Sequence, residues 1–321
     1  MDRHRRVLIA YPYLGASGGG NAVAAWALEA LRDVCDLSLA TLGKIDYEAV
    51  NRSFGTSLRA GDFRVHLAPA RYRALLGSLP TPGALLECCV TLRWAQNLDR
   101  KRPYDVVMGL QNEADFGRRG VQYINYPWVY LPRPDIELCW YHRIPGALAA
   151  YRGLCRRMAR ASLEGLGRNL SLANSEFTAA RIRKVHGCDS TVLYPPAPGD
   201  FPDVPWEQRR AGLIAVGRFH ECKRYEMAVE IVDELRRRGH DISLTVAGQR
   251  DRRRYGARLE ALAATRPWFR IVHNLSREDL AAEIAHHRYG IHCMFEEHFG
   301  IAPAEMQRAG CITFVHNSGG P

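Results

Sequence analysis

The 321-residue sequence predicts an α/β protein of two doubly wound parallel-sheet domains that face each other across an interdomain cleft. Three observations predict it. Short apolar runs rich in β-formers alternate with longer stretches of helical apolar spacing, the pattern of parallel strands joined by helical crossovers. The alternation breaks once, at Tyr194-Pro-Pro-Ala-Pro-Gly-Asp-Phe-Pro202, where four prolines and a glycine forbid regular structure. Beyond that break it restarts with the same rhythm.

Residues 6–11 (RVLIAY) read as the first strand, closed by Pro12 and a glycine cluster, and residues 21–31 as the helix that follows. Further strands are expected at 37–42, 65–67, 105–110, 121–124, 170–173 and 191–193, with helical stretches between several of them. Ser175 follows the strand at 170–173 and can cap a helix at 176–186. These elements make a first domain of residues 1–193, followed by a linker at 194–202. The second domain, 203–321, has strands at 213–216, 242–247, 269–272, 290–294 and 312–315. Its helices fall at 225–238, 252–264, 277–286 and 301–309, the first and last closed by Gly239 and Gly310. Ligands of such sheets sit at the carboxyl ends of the strands.

Composition narrows the function. With 47% hydrophobic and 24% charged residues the chain is ordinary globular protein, neither disordered nor collagen-like. A net charge of +10 points to an anionic partner. Nucleic acid is not expected, because no recognised motif or aromatic-interleaved basic stripe accompanies the charge. No run approaches the length of a membrane span, and the basic start leads into an apolar run too short for a signal peptide, so a cytoplasmic protein is expected. The nine cysteines are scattered without a C-x-x-C pair, which indicates buried free thiols rather than disulfides or zinc. His142, His186, His220, His286, His287 and His298 show no metal-ligand grouping, although His220 and His298 flank the motifs below. No metal site is expected.

Three motifs can carry chemistry. Gly15-Ala-Ser-Gly-Gly-Gly20 lies between the first strand and helix, where backbone can approach an anion. It departs from the G-x-G-x-x-G fingerprint, which disfavours a nicotinamide dehydrogenase; a tight strand-to-helix turn explains it equally. Gly217-Arg218-Phe219-His220-Glu221-Cys222-Lys223-Arg224 follows the second domain's first strand. There Arg218 can grip phosphate oxygens through its planar fork, and Lys223 adds a mobile point charge; a solvated basic turn is the plainer reading. The third motif, residues 295–305, places Glu297 and Glu305 around a turn and helix start. Gly300 and Ile301 there would offer open amides to a diphosphate. A carboxylate can accept both hydroxyls of a sugar diol.

Together these stretches resemble a retaining glycosyltransferase of family 4, with the two-domain GT-B fold of facing Rossmann-like units. The Glu297 and Glu305 pair, Gly217-Arg218-Phe219 with Lys223, and Asn174-Ser-x-x-Thr178 followed by Tyr194-Pro-Pro carry the resemblance. Gly120-Val-Gln-Tyr-Ile-Asn-Tyr-Pro-Trp128 is similar to the mannosyltransferases that build lipid-linked oligosaccharides. The resemblance implies that Arg218 and Lys223 bind the donor diphosphate, Glu305 the nucleotide ribose, and Glu297 the donor sugar near the reacting carbon. Phe299, Gly300 and Ile301 would present backbone to sugar and phosphate, with Gly217 in the phosphate turn. Gly18, Gly19 and Gly20 would form the first-domain loop that closes on phosphate and acceptor. It also implies a nucleotide-sugar substrate, GDP- or UDP-linked, no separate cofactor and a glycan or lipid-linked acceptor.

Two departures stand out. Many members have histidine where Asn125 stands, and asparagine can bond a sugar hydroxyl but cannot take a proton. Members also continue past Ser318-Gly-Gly-Pro321, so a C-terminally truncated chain is expected. Besides a GDP-mannose donor, three readings stay open: a UDP-sugar transferase, a catalytically impaired nucleotide-sugar-binding protein, and an epimerase of the same fold. Arg143, Arg152, Arg156, Arg157, Arg160, Arg168, Arg181, Arg183 and Lys184 suggest a basic face for anionic lipid on the cytoplasmic side of a membrane; a solvated helix face fits as well. Residues 75–92 suit core packing better than an acceptor or membrane surface.

Overall fold

The computed structural model describes residues 5–77, 84–131, 144–249 and 254–321. Cys139, His142 and Arg143, with residues 252–253 of an expected helix, lie outside them. The chain divides into two compact units, Met1–Pro195 and Pro196–Pro321.

The first unit runs β1 (Arg6–Ala10), α1 (Gly19–Leu31), β2 (Asp36–Thr41), α2 (Tyr47–Phe54), β3 (Arg64–Leu67), α3 (Ala70–Gly77) and α4 (Ala84–Lys101). It continues with β4 (Val106–Gly109), β5 (Val121–Ile124), α5 (Ala147–Ala159), α6 (Leu163–Gly167), β6 (Leu170–Ala173), α7 (Glu176–His186) and β7 (Thr191–Val192). Its seven strands are ordered β3-β2-β1-β4-β5-β6-β7 and pair in parallel. Leu8, Ala10 and Val107 on one face of the sheet pack with Leu85, Leu86, Cys89 and Val90 of α4 and Cys155 of α5. The described part of residues 75–92 is therefore largely core. Ser175 caps α7 as its sequence indicates, its Oγ accepting from the Thr178 amide at 3.1 Å.

The second unit contains β8 (Arg210–Val216), α8 (Tyr225–Arg237), β9 (Ser243–Gly248), α9 (Arg254–Ala264), β10 (Phe269–His273), α10 (Arg277–Ala285), β11 (His287–His292), α11 (Ile301–Arg308) and β12 (Ile312–Val315). Its parallel sheet is ordered β10-β9-β8-β11-β12. Alternation along β8 feeds both faces: Leu213 and Ala215 pack with α8 and α9, whereas Ile214 and Val216 pack with Ile284 of α10 and Met306 of α11. A sheet covered on both faces needs near-continuous apolar strands, and β8 is buried from Gly212 to Val216.

Several boundaries move. β11 starts at His287, three residues before the strand expected at 290–294, and ends at His292. The polar run His286-His287-Arg288 hides this start, because burial of His287 depends on tertiary partners: its ring bonds the Glu283 carbonyl at 2.7 Å and Thr245 Oγ1 at 3.1 Å. β8 likewise begins at Arg210, whose guanidinium pairs with Glu283. α1 begins at Gly19 rather than residue 21, so Gly19 and Gly20 lie in its first turn. The eight described cysteines are free thiols, of which Cys89, Cys155, Cys293 and Cys311 are buried and the other four half-buried.

Candidate functional site

Strand order reverses twice, between β1 and β4 in the first unit and between β8 and β11 in the second. Loops leaving two such neighbours go to opposite faces of the sheet and open a crevice at their carboxyl ends. In the second unit those two loops are residues 217–224 and 293–300.

The first loop is shaped by alternating constraints. Gly217 has φ 148°, a conformation that side chains rarely adopt. Phe219 is fully buried and packs edge-on against Tyr225 and His273, at ring distances of 6.1 and 5.2 Å. That plug leaves Arg218 exposed, with no carboxylate partner among the described residues. A short 3-10 turn, Glu221–Lys223, follows, capped by His220 Nδ1, which accepts from the Cys222 amide at 3.3 Å. Arg224 then adopts φ 51° to enter α8, and its guanidinium lies 3.7 Å from the centre of the Phe295 ring in the facing loop.

The second loop brings Glu297 to Lys223. Lys223 Nζ donates to Glu297 Oε2 at 2.8 Å, His292 Nε2 donates to the same oxygen at 3.0 Å, and the His298 amide donates to Oε1 at 3.1 Å. Burial alone would push the Glu297 carboxyl up, but the Lys223 charge and the His292 bond outweigh it and hold it well below the usual carboxylate range. Burial pushes His292 down, so its neutral ring donates through Nε2. Residues 318–320 brace the loop: the Gly320 amide donates to the Glu297 carbonyl at 2.7 Å, and the Glu296 amide to Ser318 Oγ at 2.8 Å. A side chain at Gly319 would overlap the Glu297 backbone. Among the described residues four non-glycines have positive φ, and three of them, Arg224, Asn274 and Glu296, lie in the loops that leave β8, β10 and β11 at this sheet edge. Each such conformation costs about 1 kcal/mol, and strain of this kind collects where a site demands it.

Gly300, with φ 84°, caps α11, and Ile301 is its first residue, so the first-turn amides have no helical acceptor. Phe299 is half-buried beside them. Glu305 lies one turn further in, its side chain 8% exposed, and does not join Lys223 and Glu297. Instead its Oε1 sits 2.9 Å from Arg277 Nη1. Burial raises the Glu305 carboxyl, and Arg277 offsets this only in part.

The glycine motif and Asn125 belong to the first unit. Gly18 caps α1 with φ 90°, and no side chain caps the helix. Asn21 braces the turn, accepting from the Gly15 amide at 3.1 Å and donating to the Ser17 carbonyl at 2.6 Å. Only Gly18 of the three expected loop glycines is outside the helix. Asn125 follows β5, and its Nδ2 donates to the Gln111 carbonyl at 2.7 Å in the segment after β4.

Sequence reasoning missed His292 and Arg277. His292 falls inside an apolar strand, and Arg277 is one of many surface-patterned arginines; neither carries a local signal. Of the basic residues considered as a lipid-facing surface, Arg168 pairs with Glu164, Arg183 with Asp189, and Arg156 covers the Tyr130 ring. Among the described residues no group of three His, Cys, Asp or Glu side chains is arranged to hold a metal ion, and no helix is long and apolar enough to cross a membrane.

Two doubly wound parallel sheets define the class: this is the GT-B fold of glycosyltransferases. Residues 200–321 match the family of glycosyl transferases group 1, a match that spans nearly all of the second unit. The mouse protein "GDP-Man:Man(3)GlcNAc(2)-PP-Dol alpha-1,2-mannosyltransferase" is 26% identical over 178 residues, 50% of this chain and 36% of that protein. The chain thus spans about a third of the length of the curated relatives it matches. Among solved structures, WaaG, a glycosyltransferase involved in lipopolysaccharide biosynthesis, superposes with a TM-score of 0.61 at 17% identity, over 98% of this chain and 81% of that one. Anabaena HepE in complex with UDP-glucose does so with a TM-score of 0.64 at 13% identity, over 99% and 82%.

Proposed function

We propose that this chain is a retaining glycosyltransferase that moves a hexose, preferentially mannose from GDP-mannose, from a nucleotide sugar to a glycan or lipid-linked acceptor without a metal ion. The observation that carries the reading is the contact of Lys223 with Glu297 across the β8–β11 switch point, inside the segment matched by the glycosyl transferases group 1 family. Support for mannose comes from the Gly120–Trp128 resemblance and from the donor printed in the names of the curated relatives.

In this reading the bond between the sugar's anomeric carbon and the diphosphate oxygen breaks, and an acceptor hydroxyl oxygen bonds to the same face of that carbon. The acceptor proton leaves on the diphosphate. Negative charge grows on the diphosphate as its bond breaks, so Arg218, Lys223 and the open amides of α11 stabilise the transition state more than the ground state. The two cations take the place of a divalent ion. Glu297 positions the sugar, and by holding Lys223 keeps the cation aimed at the phosphates. Glu305 accepts the ribose hydroxyls, Gly217 admits the phosphate, and Gly18 with the α1 amides, together with Asn125, serves the acceptor side. An anionic membrane surface would present a lipid-linked acceptor.

Calorimetric titration with GDP and with UDP in magnesium-free buffer tests the donor site, and incubation with GDP-mannose and acceptor in EDTA tests turnover. Binding of one nucleotide and EDTA-resistant product with the donor's anomeric configuration are expected. A folded chain that binds neither nucleotide refutes the assignment.

A further inference from the structure

Arg277 is the first residue of α10, directly after its cap Ser276, whose Oγ accepts from the Asp279 amide at 3.0 Å. Its side chain runs away from the helix and ends between two acceptors from distant parts of the chain. Nη1 meets Glu305 Oε1 at 2.9 Å, and Nη2 donates to the Pro198 carbonyl in the proline-rich linker. Side-chain exposures of 15% for Arg277 and 8% for Glu305 make this one of the most enclosed ion pairs of the unit. The linker wraps the guanidinium closely. Gly199 passes with φ 123°, and a methyl group there would lie 2.7 Å from Nη2. The Phe201 ring centre is 5.9 Å from Cζ. Among the described residues Nε has no acceptor although it is buried, so the two Nη groups alone hold the guanidinium in place.

We infer that Arg277 is a positioning residue: held by the linker, it fixes the Glu305 carboxylate in the one orientation that accepts a ribose diol. The inference rests on the reading of Glu305 as the ribose-binding carboxylate. A carboxylate accepts through four lone-pair directions. With Oε1 engaged by a fixed guanidinium, rotation of the carboxylate is arrested and Oε2 faces a constant direction; among the described residues it has no side-chain donor. A fork bound on one arm to the carboxylate and on the other to a backbone carbonyl sets that direction more narrowly than a flexible ammonium can. The linker conformation thereby enters the affinity for the nucleotide.

The test compares GDP with 2′,3′-dideoxy-GDP, by calorimetry on the full chain, for wild type, Glu305→Ala, Arg277→Met and Arg277→Lys. UDP and its dideoxy analogue are used if UDP is the nucleotide bound. Wild type is expected to prefer the ribonucleotide by about tenfold or more, the worth of a charged hydrogen bond. In Arg277→Met that preference falls towards one while dideoxynucleotide affinity is unchanged, and Arg277→Lys keeps part of it. A merely structural role would weaken both nucleotides alike. Should Arg277→Met fail to fold, Gly199→Ala displaces the guanidinium from the linker side with both charged groups intact, and the same drop is expected. A wild-type preference retained in Arg277→Met, or in Gly199→Ala if the former does not fold, overturns the inference. A wild-type preference near one, or one unchanged by Glu305→Ala, instead removes the ribose role of Glu305 itself.

Discussion

Lys223 Nζ lies 2.8 Å from Glu297 Oε2 although 74 positions separate the two residues in the chain. The neutral ring of His292 donates to the same oxygen, so one carboxylate oxygen satisfies two donors from two different strands' ends. Removing that carboxylate leaves a largely buried ammonium and an imidazole without their acceptor.

Glu297→Ala should therefore lower the unfolding free energy by about 3 kcal/mol, the typical cost of leaving one partner of a buried pair uncompensated. Urea denaturation measures it, and an unchanged midpoint would contradict the account. The same contact sets a pH dependence. Because the folded-state carboxyl lies well below its ordinary value of 4.5, its contribution is complete above that value and is lost as pH falls towards the folded one. Glu297→Gln should flatten the stability–pH curve on this acid limb.

His287 governs a higher window. Burial pushes its ring from 6.5 down to about 4, helped by Arg210 and Arg270 and opposed by the Glu283 carbonyl. The unfolded chain binds the proton more readily, so stability is full above pH 6.5 and declines as pH falls towards about 4. Chemical denaturation between these limits should show that decline in wild type and a weaker one in His287→Gln. Equal slopes in the two proteins would rule His287 out as its source.

Arg218 separates binding from stability. Exposed and without a carboxylate partner among the described residues, it contributes little to the fold, and Arg218→Ala should move the unfolding free energy by no more than about 0.5 kcal/mol. In the proposed role as a donor to the leaving diphosphate, its loss should lower turnover by about a hundredfold or more. Full activity in a folded Arg218→Ala would exclude the residue from the phosphate site.

Gly248, at the end of β9, fixes where residues 217–219 lie. A methyl group there would overlap the Gly217 carbonyl oxygen and approach Phe219 to 2.8 Å. Gly248→Ala should cost about 1–3 kcal/mol by overpacking and weaken nucleotide binding, because residues 217–219 must move. Gly239→Ala is the control: its φ is also positive, at 91°, yet open space surrounds it. It should destabilise by backbone strain alone and leave the nucleotide affinity intact.

The amino-acid sequence by itself determined the class of fold and the loops that carry charge. These features are written in local patterns: apolar runs mark strands, Ser175 marks a cap, and Gly217 and Gly300 mark turns whose φ angles favour glycine. Tertiary structure decided which charges meet. Lys223 and Glu297 were both legible as candidates, but their contact depends on β8 and β11 being neighbours in the sheet. His292 and Arg277 had no local signal. One reaches Glu297 because β11 ends at His292, directly before the loop that carries the carboxylate; the other reaches Glu305 because the linker folds back and offers the Pro198 carbonyl. Periodicity records which face of an element is buried, whereas the pairing of buried polar groups depends on strand order and on chain segments far apart in sequence, and only the folded chain brings those together.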